Sequence, residues 1–347
     1  MSILYKSECS TMIDHCQFIS KMYEDVTTDT GEIQSFALSS NIFSIKSTTK
    51  ASKDRKRKMG SDNILKETEL VKKMYSVLTQ ELPSEIKCDI FNKYNLMETS
   101  EVRELAAKLF ESTIVDLNGM SGGNNSDAPL KCKAKDSYFL IPPKSRFYCG
   151  CVKAQCVKLA GNKYDIVIAD PPWWNKYIRR LKGANEKLSY SMMYNEDIAA
   201  LPVRDLLSDN CLVAVWCTNS PSNINAVKEL IFPKWGVEYV TTWYWLKLTI
   251  DLEPLCDFGT GCKKQPYERV IIGKVGDVKE IPHNHMFASV PSALHSHKLP
   301  LLDLLTQYVN CENPHVLELF ARYLLPNTTS VGYEPLKWQH ISLYDVR

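Results

Sequence analysis

The sequence predicts an α/β protein built on a doubly wound, Rossmann-like sheet. Three observations carry that reading. Short continuous apolar runs recur: Tyr164-Asp165-Ile166-Val167-Ile168-Ala169, Cys211 to Cys217, and His315-Val316-Leu317-Glu318-Leu319-Phe320. Such runs are strands buried on both faces, as parallel sheets require. Segments of helical pattern lie between them, which is how parallel strands are connected. Finally, Asp170-Pro171-Pro172-Trp173 ends the first run, where an open α/β sheet gathers its ligands.

At 347 residues the chain allows two domains, or one large α/β domain with an appendage. Residues 1–118 read as an N-terminal accessory region of mixed and helical character. Ile33, Phe36, Leu38, Ile42 and Phe43 suggest short strands, and residues 46–60 form a polar loop ending in Lys53-Asp54-Arg55-Lys56-Arg57-Lys58. That run is charge-dense, cannot bury a core, and reads as a disordered nuclear-import or phosphate-binding patch, or as plain solvated loop. Ile64 to Leu82 is a helix stopped by Pro83, and Thr99 opens another to about Ser112. Gly119 to Pro129 has linker composition, so residues 119–130 are the expected boundary and 131–347 the catalytic unit. Within it, helices are expected over Glu196 to Leu207, Ser220 to Phe232 and Leu299 to Val309. Strands are expected over Val240 to Lys247, Glu268 to Gly273 and Thr328 to Glu334.

The tetrad has a chemical logic. Asp170 offers a carboxylate acceptor, while Pro171 and Pro172 fix φ and present carbonyls without competing local N–H donors. Trp173 gives a flat face on which a base can stack. Together they suit an exocyclic amine on a planar ring. After the tetrad, Lys176, Arg179, Arg180 and Lys182 interleave with Trp174 and Tyr177, the composition of a loop gripping phosphates or of a solvated helix surface. Tyr190 is a second stacking candidate. The strand ending at Phe320, the turn through Arg322 and the strand ending at Glu334 form a nucleoside-holding arrangement, the acid accepting from ribose hydroxyls. No G-x-G-x-x-G is present, so a phosphate-bearing dinucleotide is not expected.

Five ordered stretches resemble the D-P-P-W amino-group methyltransferases, specifically the MTA-type adenine N6-methyltransferases and their methyltransferase-like-four branch. They are Tyr138 to Pro143, Ile168 to Trp173, Lys264 to Glu268, Leu294 to Lys298 and Leu317 to Arg322, and the resemblance covers roughly residues 137 to 342. It implies an S-adenosylmethionine-dependent methyltransferase sheet in circularly permuted order, with the target-amine motif before the cofactor strand. It also implies catalysis at Asp170, Pro171, Pro172 and Trp173, and cofactor contacts from Asp170, Lys298, Phe320, Arg322 and Glu334. Trp245, Lys247 and Glu268 complete the substrate-facing set. Two positions depart from the family pattern: Tyr333 stands where Asn is usual, and Cys151 where an acid is usual. The implied substrate is adenosine, or its 2′-O-methyl form, in small nuclear RNA. Adenine in DNA, and a non-catalytic nucleic-acid-binding role, are the alternatives.

Composition agrees with a globular, nucleic-acid-facing protein. From Lys131 onward 26 Lys and Arg stand against 21 Asp and Glu, although the whole chain is only +2. Twelve cysteines contain no C-x-x-C pair, so they read as buried thiols in a reducing compartment and no metal site is expected. No apolar run approaches membrane-spanning length and the first residues lack a signal-peptide pattern. The expectation is therefore a nuclear monomer, with the cytoplasm as a second location, that acts on nucleic acid, RNA before DNA, with no membrane association.

Overall fold

The computed structural model describes residues 2–46, 62–174, 192–259 and 265–347. Its centre is an eleven-stranded sheet. In chain order the strands are β1 (Ile3–Lys6), β2 (Ser10–Ile13), β3 (Ser121–Gly123), β4 (Arg146–Cys149), β5 (Tyr164–Ala169), β6 (Leu207–Cys217), β7 (Glu238–Lys247), β8 (Tyr267–Val275), β9 (Met286–Ser289), β10 (Val316–Leu319) and β11 (Thr328–Gly332). Across the sheet they stand β1-β2-β9-β7-β8-β6-β5-β10-β11-β4-β3. The run β6-β5-β10-β11-β4 is wholly parallel, so the strands carrying the tetrad and Phe320 end side by side. Strand β8 alone runs backwards in the interior, antiparallel to both β6 and β7. Its first residues therefore reach the same edge as the last residues of its neighbours.

The unbroken apolar runs follow from burial on both faces. Val167 and Ala169 join Val213, Val215, Leu317 and Leu319 in one layer, covered by Ile198, Ile224, Phe232 and Trp235. Ile166 and Ile168 point the other way, with Ala214 and Trp216, under Leu299, Leu304 and Val309. Two of the three expected helices are shorter than the pattern suggested, with proline at the break, and the third runs on to Trp235 with a π turn inside it. Glu196 to Leu207 resolves into Asn195–Ala199, a 3-10 turn at Arg204–Leu206 after Pro202, and an early start to β6. Ser220 to Phe232 becomes Pro221–Ala226, a π turn at Val227–Ile231 and a last turn at Phe232–Trp235 containing Pro233. Leu299 to Val309 reduces to Leu302–Leu305 and Thr306–Tyr308, beginning after Pro300.

The first 118 residues are built into this sheet. β2 pairs with β9 through Met286↔Ser10, extending it by two strands. Helices Asp62–Glu81, Ser84–Tyr94 and Thr99–Ser112 share a core with Tyr244, Leu246, Tyr267 and Trp338. The middle helix buries only Ile90 and Tyr94, which is why its pattern was too faint to read. Where a flexible connector was expected, Ser121–Gly123 forms edge strand β3 against β4. A Cβ on Gly123 would come within 2.1 Å of the Ser145 carbonyl, so this glycine serves a close backbone approach. Residues 47–61, which hold the basic run, lie outside the described residues. Among the described residues, no helix is long and apolar enough to cross a membrane.

Gly273 in β8 tests the packing that sets β8 in place. A Cβ there would sit 2.5 Å from Val237 Cγ1 and 2.7 Å from the Glu238 carbonyl. Gly273→Ala should cost about 1–3 kcal/mol by overpacking. Urea unfolding should show a lower midpoint at unchanged m-value, and an unshifted midpoint would refute this.

Candidate active site

Asp170 leaves the end of β5 with its backbone N–H donated to the Leu319 carbonyl at 3.3 Å, which ties the tetrad to β10. The rest of the tetrad is braced, not free. The Pro171 carbonyl accepts the Trp173 N–H at 2.8 Å and the Pro172 carbonyl accepts the Met193 N–H at 2.9 Å. Both carbonyls thus do have local donors, contrary to the sequence expectation, because the chain folds back as a tight turn against Met193. Trp173 is buried to 6% exposure, and its indole N–H donates to the Trp216 carbonyl at 3.0 Å. Its ring is mostly core, and only part of it borders the site.

Two cavities meet at Asp170, each of about 350 Å³. The first is lined by Phe320, Arg322, Tyr333, Glu334, Cys151 and Pro172, together with Asp170. Phe320 adopts a left-handed φ of 63°, unusual for a non-glycine residue, where the chain turns out of β10. The turn fits only because Gly332 faces it, since a Cβ there would approach the Ala321 carbonyl to 2.8 Å. Glu334 is held from both sides: Lys337 donates to Oε1 at 2.6 Å and Arg322 Nε stands 3.7 Å from Oε2. Lys337 was not anticipated, although its place three residues after Glu334 was a usable signal.

The second cavity is lined by Trp216, Asn219, Lys247, Tyr267, Glu268 and Lys298, again with Asp170 and Trp173. Here charge alternates. Lys298 Nζ stands 3.7 Å from Asp170 Oδ1 and also pairs with Glu268, whose other oxygen pairs with Lys247. Burial alone would raise the Glu268 carboxyl, but Lys298 and Lys247 hold it well below the usual carboxylate range. Burial likewise opposes the charge on Lys298, and Asp170 and Glu268 outweigh it, so its pKa rises. For Asp170 burial prevails and its carboxyl is raised, although Lys298 and Arg322 pull it back.

The structure therefore divides the expected residues. Asp170, Pro172, Phe320, Arg322 and Glu334 share the first cavity; Asp170, Trp173, Lys247, Glu268 and Lys298 share the second. Lys298, expected among the cofactor contacts, lies on the Glu268 side of Asp170. Trp245 is a correction: it is 1% exposed, its indole N–H donates to Ser289 Oγ at 2.9 Å, and Lys247 Nζ lies 4.5 Å above its ring. It supports a site residue and is itself out of a substrate's reach. Trp174 stacks on Tyr194 at 5.9 Å beside a third, adjoining cavity of about 460 Å³. Tyr190, Lys176, Arg179, Arg180 and Lys182 lie outside the described residues. Among the described residues, no group of three His, Cys, Asp or Glu side chains could hold a metal ion.

Fold and site together define an α/β protein with a large, mostly parallel sheet, in which the Asp170 carboxylate stands between two cavities at the sheet's carboxyl edge. Residues 164–334 match the family model described as MT-A70, and the chain carries an MT-A70 family domain. It is 42% identical over 212 residues to the "DNA N6-methyl methyltransferase" of Caenorhabditis elegans, covering 58% of this chain and 55% of that protein. It is 35% identical over 234 residues to the Homo sapiens "N(6)-adenine-specific methyltransferase METTL4", covering 64% and 48%. The Cryphonectria parasitica "N6-methyladenosine RNA methyltransferase MTA1" is 34% identical over 206 residues, covering 57% and 60%. The chain thus spans about half the length of the curated relatives it matches.

One buried acid next to the site was missed by the sequence reading. Glu318 on β10 pairs with Ile168, is 4% exposed, and leaves Oε2 without a partner. Burial, then the charge of Asp170, push its carboxyl from 4.5 up to about 8. The neutral form favoured by folding is fully present below the unfolded pKa, and its stabilising contribution is lost as pH rises through the folded value. Glu318→Gln, neutral throughout, should therefore gain stability relative to wild type between about pH 4.5 and 8. Parallel stability–pH curves from urea unfolding of the two proteins would refute this.

Proposed function

We propose that this protein transfers methyl groups from S-adenosylmethionine to the N6 amine of adenine in nucleic acid. The observation that carries the reading is Asp170 in the wall shared by two cavities, one suited to a nucleoside and one to a charged, planar substrate edge. The donor set of the first cavity fits S-adenosylmethionine. Glu334 can accept from vicinal ribose hydroxyls, Phe320 offers an apolar face, and no phosphate cradle is needed. Tyr333 and Cys151, the two departures from the family pattern, both stand at this cavity. The tetrad strand β5 precedes the cofactor-side strand β10 in sequence while lying beside it in the sheet, which supports the circularly permuted reading.

When bound, the cofactor supplies an electrophilic methyl group. The work of this chain is to position and to stabilise. An adenine amine is a poor nucleophile because its lone pair is delocalised into the ring. Asp170 accepts one N–H and draws the lone pair out of conjugation; the remaining lone pair of the Pro171 carbonyl can take the other. As the nitrogen gains positive charge, the Asp170 carboxylate stabilises it and can receive the departing proton. Lys298 opposes the upward push that burial gives the Asp170 carboxyl.

We favour adenosine in RNA, including the 2′-O-methylated adenosine of small nuclear RNA, because an unpaired base reaches a recessed carboxylate without being flipped from a duplex. Adenine in DNA is the second reading, favoured by the name of the nematode relative. The basic run at 53–58 supports a nuclear location. Labelled-methyl transfer to matched RNA and DNA oligonucleotides, followed by nucleoside analysis, decides between them. Absence of N6-methyladenine in either polymer would end the proposal.

Asp170→Asn should lower methyl transfer by at least about a hundredfold, as loss of an electrostatic partner to the transition state does, with cofactor affinity within a few-fold. Turnover near wild type in that variant would remove the tetrad from the chemistry. Because catalysis needs the ionised carboxylate and burial raises its pKa, the acid limb of kcat should lie above the range of a free aspartate. A limb at the free-aspartate position would mean that another group controls it.

A further inference from the structure

We propose that Asn219 reads the ring-nitrogen acceptor beside the target amine, and that Arg269 and Glu67 fix the direction in which it faces. The inference rests on the methyltransferase reading and deepens it. Asn219 follows the end of β6 and lines the cavity that holds Asp170 and Lys298. Its Oδ1 accepts a hydrogen bond from Arg269 Nη1. A guanidinium can only donate, so the amide oxygen must face Arg269 and the Nδ2 donors must face away from it. Among the described residues, no hydrogen bond from Nδ2 is recorded.

Arg269 cannot swing away. It is fully buried, its Nε and Nη2 donate to Glu67 Oε2 at 3.0 and 2.5 Å, and its guanidinium lies 5.1 Å from the Tyr267 ring centre. Glu67 belongs to the N-terminal helix Asp62–Glu81, so a residue far upstream of the family match orients a side chain in the site.

The cavity then presents an acceptor, Asp170, and a donor, Asn219. That pair complements an amine beside a ring nitrogen: N6 with N1 or N7 of adenine, or N4 with N3 of cytosine. Uracil has no amine, and guanine carries a keto oxygen at the C6 position, where the acceptor would face an acceptor; its own amine, N2, meets a ring acceptor only at N3 on the sugar edge. The pairing therefore selects amino bases over keto bases, and purine against pyrimidine is left to cavity shape.

The test uses oligonucleotides carrying 1-deazaadenosine or 7-deazaadenosine at the target position, in which one ring acceptor becomes C–H. For the wild-type protein one of the two should lose about tenfold or more in kcat/KM. Asn219→Asp keeps an oxygen on Arg269 but turns an acceptor toward the base. It should lower kcat/KM on adenosine by a similar factor or more, abolish the penalty for the deaza substitution, and leave cofactor affinity within a few-fold. Glu67→Gln should shrink the same penalty; an unchanged penalty removes Glu67 from the arrangement. If neither analogue slows the wild type, or if Asn219→Asp keeps the full penalty, the assignment of Asn219 is overturned while the methyltransferase reading stands. If the wild type methylates no oligonucleotide at all, both fall.

Discussion

The structure depends on a half-buried chain of alternating charge: Asp170, Lys298, Glu268, Lys247. Each charge comes from a different place, the end of β5, the segment before Leu299, the start of β8 and the end of β7. They can meet only because β8 runs against its neighbours. Its register sets Glu268 opposite Trp245 and Arg269 opposite Cys217, so the first residues of β8 fall level with the last residues of β6 and β7. A fully parallel sheet would send Glu268 to the opposite edge. A buried charge deprived of its partner costs several times what the pair contributes, so the strand order and the charge order sustain each other.

Much of this was legible in local sequence. The strands at 164–169 and 316–319 and the 211–217 part of β6 announce themselves because burial on both faces leaves nearly continuous apolar runs, and the tetrad is a contiguous signal; the polar start of β6, Ser208 to Asn210, was not legible as strand. What stayed hidden was non-local. β1 and β2 are four residues each; β2 joins the sheet by pairing with residues some 275 positions later, as Met286↔Ser10 shows, and β1 pairs with β2. Trp245 was expected among the substrate contacts from the family resemblance and from its place in an aromatic strand. Which face of that strand is covered depends on β9 and Ser289, which the local pattern does not contain. Glu318 reads as one acid in an apolar strand, and its neighbourhood with Asp170 needs the β5–β10 register.

The same non-local reach changes how the N-terminal region should be regarded. Glu67 neutralises the buried Arg269, and Thr68 hydrogen-bonds to the Tyr267 hydroxyl at 3.1 Å. His15, from the helix His15–Ser20, packs 4.9 Å from His297, which immediately precedes Lys298. The first 118 residues thus form part of the wall behind the second cavity. The family match from 164 to 334 holds Asp170, Lys298, Glu268 and Arg269, and residues outside it pack against them.

The tetrad itself divides in the same way. Asp170 borders both cavities; Pro171 is buried, Pro172 borders one, and Trp173 spends its indole N–H on the Trp216 carbonyl. That bond locks the end of β5 to the end of β6, one strand over, where Asn219 also begins its turn toward the site. A looser tetrad would let the carboxylate choose between its compartments. A braced one fixes it in the wall that both cavities share, and on the proposed reading the reorganisation that methyl transfer would otherwise require is completed when the chain folds.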